Sequence, residues 1–276
     1  MRFLMIPNTT NPQARACAEE LMASIRNAGH EAMLRSQADE AWLTSAELAV
    51  AVGGDGTVLR AVRDLHPLSD MPIWAVNCGH LGYLTDCEPQ GAEQALERIL
   101  AGKYHMENRV MLEGKLLSRG DEAPFFALNE VVIYRSAFSH TLKMQLLIDG
   151  MPVVKLSGDG IMVSTPTGST AYNLSAGGPI LLPEAVQAVV TPICPHAALC
   201  APLVVSGNET VTVEVTMNER VRDGEQPQLV IDGIRRIPVK SGDQVVCAVA
   251  SQRVRFVRTD DEGFYGRLQK KLTQND

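Results

Sequence analysis

Along this chain an α/β region with a parallel sheet is followed by a β-rich region, and three observations predict that order. The first hundred residues alternate short, wholly apolar runs with helix-compatible segments, the pattern of a parallel sheet covered on both faces. After about residue 103 strand-like segments follow one another and long helical periodicity nearly vanishes. A glycine-rich turn, Gly53-Gly54-Asp55-Gly56, marks a strand-to-helix junction in the first region. The expected division is an α/β domain over 1–102, a β domain over 103–250, and a strand and helix over 251–276 that return to the first domain.

Each element has a local reason. Phe3–Ile6 reads as a short buried strand. Asn11 can cap a helix with Pro12 in its first position; Leu21, Met22 and Ile25 then share one face, and Gly29 supplies a left-handed stop. Leu48–Val52 is a second apolar run that leads into the glycine turn, Thr57–Leu65 is helix-compatible, and Ile73–Val76 is another buried strand. Gly91–Leu100 reads as a helix stopped by Gly102. In the second region Phe125–Tyr134, Leu142–Ile148, Val153–Leu156, Ile161–Ser164, Val211–Val215, Leu229–Ile231 and Val245–Val249 read as strands. Val211, Val213 and Val215 alternate with polar residues, as in a half-buried antiparallel strand. Asp149-Gly150, between two strand runs, reads as a hairpin turn. Arg253–Val257 is the last strand and Phe264–Leu272 a closing helix.

Composition excludes several classes of function. The 25 basic and 32 acidic residues leave a formal net charge of -7, so nothing attracts nucleic acid or anionic lipid in general and any phosphate site must be local. Aromatic residues make up only 5%, too few for base-stacking platforms. Cys17, Cys78, Cys87, Cys194, Cys200 and Cys247 show neither C-x-x-C pairing nor zinc spacing, and read as reduced thiols packed like small apolar residues. The apolar run before Pro7 is too short for a signal peptide and no later run approaches a membrane span, which predicts a cytoplasmic protein with no membrane and no nucleic-acid partner.

The glycine turn carries the first chemistry. Glycine lets backbone N–H groups approach phosphate oxygens closely, and the following helix N-terminus adds a favourable dipole. An aspartate there repels phosphate unless it has a use, and accepting the proton of an attacking hydroxyl is one. Asp-Gly also occurs at 149, 159, 223 and 232, where a plain turn is the simpler reading. At Asp55 the doubled glycine, Thr57 and the strand-to-helix setting favour function. The turn is neither a Walker loop nor a G-x-G-x-x-G fingerprint.

The stretch from Gly53 to Arg60 resembles the signature of a superfamily that includes NAD kinases, diacylglycerol and sphingosine kinases, and 6-phosphofructokinases. Further segments resemble NAD kinases in particular: Gly79-His80-Leu81-Gly82-Tyr83-Leu84, the Asn129-Glu130 pair, and the run from Gly158 through Thr170-Ala171-Tyr172 to Pro179. Ile6-Pro7-Asn8 and the run from Thr191 to His196 fit the same order.

That resemblance implies a Rossmann-like N-terminal domain joined to a C-terminal β-sandwich, and transfer of the ATP γ-phosphoryl group to the 2′-hydroxyl of the adenosine ribose of NAD. It implies Asp55 as proton acceptor, with Gly53, Gly54, Gly56, Thr57, Arg60 and Tyr83 around the nucleotide. Asn129 and Glu130 would bind the adenosine half, and Thr170, Ala171, Tyr172, Asn173 and Ser175 would wrap the adenine and nicotinamide side. Asp159 would reach a dinucleotide held mainly by a neighbouring subunit, hence a homodimer or homotetramer. Mg²⁺ would arrive with the ATP phosphates, with no protein ligand set of its own. The chain departs from the family pattern at Ser157, where many relatives carry arginine, at Cys194, often alanine, and at Ile234 after Asp232-Gly233. Two other readings stay open on the residues alone. One is a lipid or sugar kinase using the same turn, which the Asn-Glu and Thr-Ala-Tyr blocks disfavour; the other is a non-catalytic dinucleotide sensor, which has no need of Asp55. His80 and the hydroxyl cluster from Ser164 to Thr170 have purely structural readings as well, a hydrogen-bonded group and a capped turn.

Overall fold

The early apolar runs pair in parallel, as wholly buried strands do when helices cover both faces. A computed structural model of the chain describes residues 1–66, 68–79, 82–117, 123–135, 141–196, 201–216, 226–259 and 263–273. His80, Leu81, Cys200 and the Asp-Gly pair at 223 lie outside the described residues. Contacts gather into two units: residues 1–108 with 254–276, and residues 109–253.

In the first unit β1 (Arg2–Pro7), α1 (Pro12–Asn27), β2 (Glu31–Leu34), α2 (Glu40–Ser45), β3 (Leu48–Gly53), α3 (Asp55–Leu65), β4 (Ile73–Asn77) and α4 (Ala92–Leu100) follow in order. The strands lie in the order β2-β1-β3-β4, all parallel. Asn11 does cap α1, its side-chain oxygen accepting from the N–H groups of Gln13 and Ala14, and Gly29 takes a φ of 81° just beyond the helix. One face of the sheet (Phe3, Met5, Val50, Val52, Trp74, Val76) forms a core with Leu21 and Ile25 of α1 and Leu96 and Ile99 of α4. Helix α3 packs on β3 and β1, and its buried Val58, Ala61, Val62 and Leu65 stand outside that core, so the opposite face is its own. Neither β2 nor α2 was anticipated; Glu31–Leu34 is short, and α2 rests on Asp39 accepting from the Trp42 N–H at 2.8 Å.

In the second unit the elements are β5 (His105–Leu116), β6 (Phe125–Ala127), β7 (Glu130–Tyr134), β8 (Leu142–Ile148), β9 (Met151–Gly158), β10 (Gly160–Ser164), α5 (Tyr172–Ser175), β11 (Gln187–Ile193), β12 (Leu203–Ser206), β13 (Val211–Thr216), β14 (Gln228–Ile231) and β15 (Arg235–Pro238). One antiparallel sheet runs β12-β11-β10-β7-β14-β15. A second places β13 beside β8 and β8 beside β9. Inward residues of both, among them Val131, Ile133, Met144, Leu146, Val163, Val190, Val213 and Leu229, share one core, the arrangement of a β-sandwich. Asp149 and Gly150 turn the β8–β9 hairpin with φ of 49° and 76°, both left-handed as its twist requires. Strand β13 alternates buried and half-buried residues as expected.

The strands depart from expectation in two places. The run Phe125–Tyr134 is broken at Leu128-Asn129 into β6, which pairs with β5, and β7, which pairs with β10 and β14. Conversely, Val245–Val249 and Arg253–Val257 belong to one continuous strand, β16 (Gln244–Arg258), whose intervening Ser251 and Gln252 are exposed. Its start pairs with β13 and Phe256 with Ile73 of β4. The units change at 108/109 and 253/254, inside β5 and β16, so no linker composition marks either place. The closing helix is α6 (Phe264–Thr273). Among the described residues no helix is long and apolar enough to cross a membrane.

Strand β16 ends on Arg258, whose side chain is completely buried. Its Nε donates to Glu107 Oε2 at 2.5 Å, and its Nη1 donates to the carbonyls of Leu84 at 3.1 Å and Thr85 at 2.8 Å. A buried guanidinium is tolerable only when its charge and its N–H groups are all answered in this way. Arg258→Met is expected to cost about 3–5 kcal/mol, because it leaves Glu107 buried without this partner. Urea denaturation of the two proteins measures that difference.

Candidate active site

Each unit carries one constellation. In the first, β3 delivers the glycine turn and Gly54 stands at the N-cap of α3 without a side chain to occupy the first-turn N–H groups. Asp55 therefore opens the helix, where a negative charge is favoured by the dipole. Its carboxylate accepts from the Tyr83 N–H at 3.0 Å and the Leu84 N–H at 3.2 Å. The approach is close: a Cβ on Gly82 would lie 2.0 Å from Asp55 Oδ1. Gly82 is thus a space requirement of the carboxylate and not a conformational one. Thr57 is buried and accepts from Arg60 Nη2 at 3.4 Å, while Gly56 and Arg60 are exposed.

The segment that grips Asp55 is itself held from behind. Arg258 takes the carbonyls of Leu84 and Thr85, and Asp86 accepts from Trp74 Nε1, the Thr259 N–H and the Thr259 hydroxyl at 3.0, 2.9 and 2.7 Å. Tyr83 is buried; burial first, and the charge of Asp55 second, push its phenol above the usual tyrosine range. Lys271 of α6 sits 4.2 Å above the Tyr83 ring, a cation–π contact for a tail lysine that sequence leaves without a role.

In the second unit the break between β6 and β7 is made by Asp232. Its carboxylate accepts from the N–H groups of Leu128, Asn129 and Glu130 at 2.8, 2.7 and 3.1 Å. The Asp232 N–H returns a bond to the Glu130 carbonyl at 3.0 Å, with Asp232 itself at a φ of 48°. Thr165 fixes the other side, its N–H and hydroxyl donating to the carbonyls of Asn129 and Leu128. Glu130 is buried, and among the described residues its Oε2 has no hydrogen-bond partner. Burial, and then the neighbouring Asp232, push the Glu130 carboxyl up to about 8. Burial also raises Asp232, against the lowering effect of its three N–H donors.

Asp159 sits in the tight turn between β9 and β10 and pairs with Arg135 Nε at 2.7 Å. Tyr172, at the start of α5, is 40% exposed, and its phenol is raised by burial and then by Tyr134, Cys194, Asp159 and Glu130. Tyr134, Cys194, Asp159 and Glu130 are thus within electrostatic reach of the Tyr172 phenol. Cys194 is exposed, with a φ of 45°. Ser157 lies in a separate groove of about 580 Å³ with His196, Lys143, Gln145, Lys155 and Thr216. The run from Thr170 to Ser175 divides. The Asn173 amide is spent internally, donating to the Ser169 and Pro179 carbonyls and accepting from Thr191, and Thr170 donates to the Thr167 carbonyl. Tyr172 and Ser175 are exposed and Ala171 is half-buried. Sequence reasoning missed Asp232, Arg135, Glu107 and Arg258; for Asp232 the Asp-Gly pair was a signal, but it also fits a plain turn.

Comparison with known proteins follows the same division. A family model described as the ATP-NAD kinase N-terminal domain matches residues 4–104, and one described as the ATP-NAD kinase C-terminal domain matches residues 128–259. The NAD kinase of Moorella thermoacetica is 35% identical over 284 aligned residues, covering 99% of this chain and 89% of its own. That of Corynebacterium glutamicum is 39% identical, covering 92% and 86%. Two solved structures share the fold: yeast NADH kinase complexed with NADH (TM-score 0.91, 20% identity, 100% of this chain and 88% of that one), and an NAD kinase from Archaeoglobus fulgidus in complex with ATP (TM-score 0.81, 24% identity, 99% of each).

Two outcomes follow from the geometry. Gly82→Ala drives its methyl into the Asp55 carboxylate and is expected to lower stability by about 1–3 kcal/mol, measured by urea denaturation. Glu130→Gln is expected to raise the thermal midpoint, by more at pH 8 than at pH 5. A carboxyl raised in the folded state costs stability progressively as pH climbs from its unfolded value, near 4.5, to its folded value of about 8, and the amide escapes that cost. An equal gain at both pH values would contradict the raised carboxyl.

Proposed function

This chain belongs to the NAD kinase family, and from that premise we propose that it transfers the γ-phosphoryl group of ATP to the 2′-hydroxyl of the adenosine ribose of NAD, with Asp55 accepting the hydroxyl proton. The observation that carries the role of Asp55 is its carboxylate at the first residue of α3, aimed by two backbone N–H groups and still partly open to solvent. A ribose hydroxyl is a very weak acid, so its proton leaves late, as the bond to phosphorus forms. The two N–H donors fix where the carboxylate stands when that proton arrives, and positioning of this kind supplies much of the rate.

Among the described residues no side chain caps the start of α3, so the glycine turn at Gly53, Gly54 and Gly56 leaves room there for phosphate oxygens, and the exposed Arg60 supplies a positive charge one turn on. In the second unit Asn129 and Glu130 take the adenosine half. Tyr172 offers a ring face and Ser175 a hydroxyl beside it, while Thr170 and Asn173 brace the segment that presents them. Asp159, Cys194 and Ser157, the last in the groove it shares with His196, serve the nicotinamide side. We extend the proposal to a homodimer or homotetramer, in which Asp159 reaches a dinucleotide held by the neighbouring subunit. Among the described residues no group of three or more His, Cys, Asp and Glu side chains is placed to hold a metal ion, and in this reading a divalent cation comes with the ATP phosphates. Bound with ATP, such a cation supplies charge neutralisation at the phosphates.

Purified protein with Mg-ATP and NAD tests the reading, with NADP formation followed by an NADP-specific dehydrogenase. Asp55→Asn is expected to lower turnover by at least about 10²-fold while NAD binding stays within a few fold. Turnover near the unaltered rate in Asp55→Asn would remove the carboxylate from the mechanism.

A further inference from the structure

Glu130 is the one member of the second constellation whose chemistry its surroundings contradict when it is drawn as an ordinary carboxylate. The side chain is 8% exposed, and Oε2 is buried without a hydrogen-bond partner among the described residues. An ionised carboxylate left so is among the costliest groups a protein can bury. Its nearest titrating neighbour, Asp232, is also buried but holds three backbone N–H donors, which only a charged or strongly accepting carboxyl can satisfy. Two buried carboxyls this close do not both ionise, and the negative charge settles on the one with the donors. Among the described residues no cationic side chain forms an ion pair with Glu130 to reverse this. β10, paired with β7 on one side, places Ser164 opposite Glu130; β14, on the other, leads into Asp232; and Tyr172 of α5 lies within electrostatic reach of it. Arg135, further along the chain, is paired with Asp159.

We infer that Glu130 binds the adenosine half of NAD as a neutral carboxylic acid, donating an O–H hydrogen bond to an acceptor atom of the nucleoside, with Asp232 as the positioning residue that keeps the proton on it. The assignment rests on the function proposed above and changes what the Asn-Glu pair recognises. A carboxylate only accepts, and so selects hydroxyl and amino donors; a carboxylic acid can address a ring nitrogen, or give to and take from one hydroxyl at once. The raised Glu130 carboxyl agrees with this, placing its titration just above neutral pH. Binding then requires a proton that the free protein loses as pH rises.

The test is NAD affinity and steady-state KM for NAD, measured from pH 7 to pH 9 on the full chain and on Glu130→Gln. For the unaltered protein both are expected to weaken by about tenfold over that interval, the loss a required proton with a pKa of about 8 imposes, while kcat changes little. Glu130→Gln donates at every pH, so its curve is expected to be flat, which assigns the titration to Glu130. Infrared difference spectra of the two proteins at pH 7, without ligand, should show the C=O stretch of a protonated carboxyl lost in the variant. A carboxylate band there, a flat curve for the unaltered protein, or the same slope in Glu130→Gln would each overturn the assignment while leaving the NAD kinase reading intact. Absence of both NAD binding and turnover at every pH would overturn that reading, and the assignment with it.

Discussion

The buried contact between Arg258 and Glu107 is the constraint on which the setting of Asp55 in the first unit depends. A guanidinium at zero exposure has to place every donor, and Arg258 spends its donors on one carboxylate and on the carbonyls of residues 83–85. Those carbonyls belong to peptides whose neighbouring N–H groups, at Tyr83 and Leu84, orient Asp55. The backbone of this segment thus faces two ways, giving N–H groups to the Asp55 carboxylate and C=O groups to a buried cation. Asp86 repeats the device one residue on, tying the segment to Trp74 and to Thr259, the residue after Arg258. In the proposed role of proton acceptor, the Asp55 carboxylate gains from being fixed by backbone, because backbone donors cannot swing away as side chains do.

The second unit solves a related problem with the charges reversed. Asp232 collects the three N–H groups left over where β6 ends and β7 begins, which is how one run of chain can leave one sheet and join the other. The same carboxylate lies beside Glu130 and denies it an easy ionisation. One residue therefore sets the path of the backbone and adds to the rise that burial imposes on its neighbour's carboxyl.

Much of this was legible in the sequence wherever its cause is local. Asn11-Pro12 starts α1, Asp149-Gly150 turns the β8–β9 hairpin, and alternating valines make β13, because caps, left-handed turns and faces depend on residues within a few positions. The break at Leu128-Asn129 was not, since its cause lies about a hundred residues away in Asp232. Strand β16 looked like two strands because exposed Ser251 and Gln252 resemble a turn, while ladder bonds to partners distant in sequence carry it through. Asn173 looked like a ligand-binding amide, and only packing reveals that its donors and acceptor are already taken.

By itself, then, the sequence determined the order of an α/β unit and a β unit, the placement of Asp55 in a glycine turn at the head of a helix, and membership of a kinase family through blocks spread from residue 6 to residue 196. Only the tertiary structure decided what surrounds those blocks. Gly82 yields the space that the Asp55 carboxylate fills, Arg258 is a buried clamp and not a surface charge, and Glu130 lies against a second carboxyl with one oxygen unanswered. The physical reason is that conformation follows from neighbours along the chain, whereas burial, pairing and protonation follow from neighbours in space.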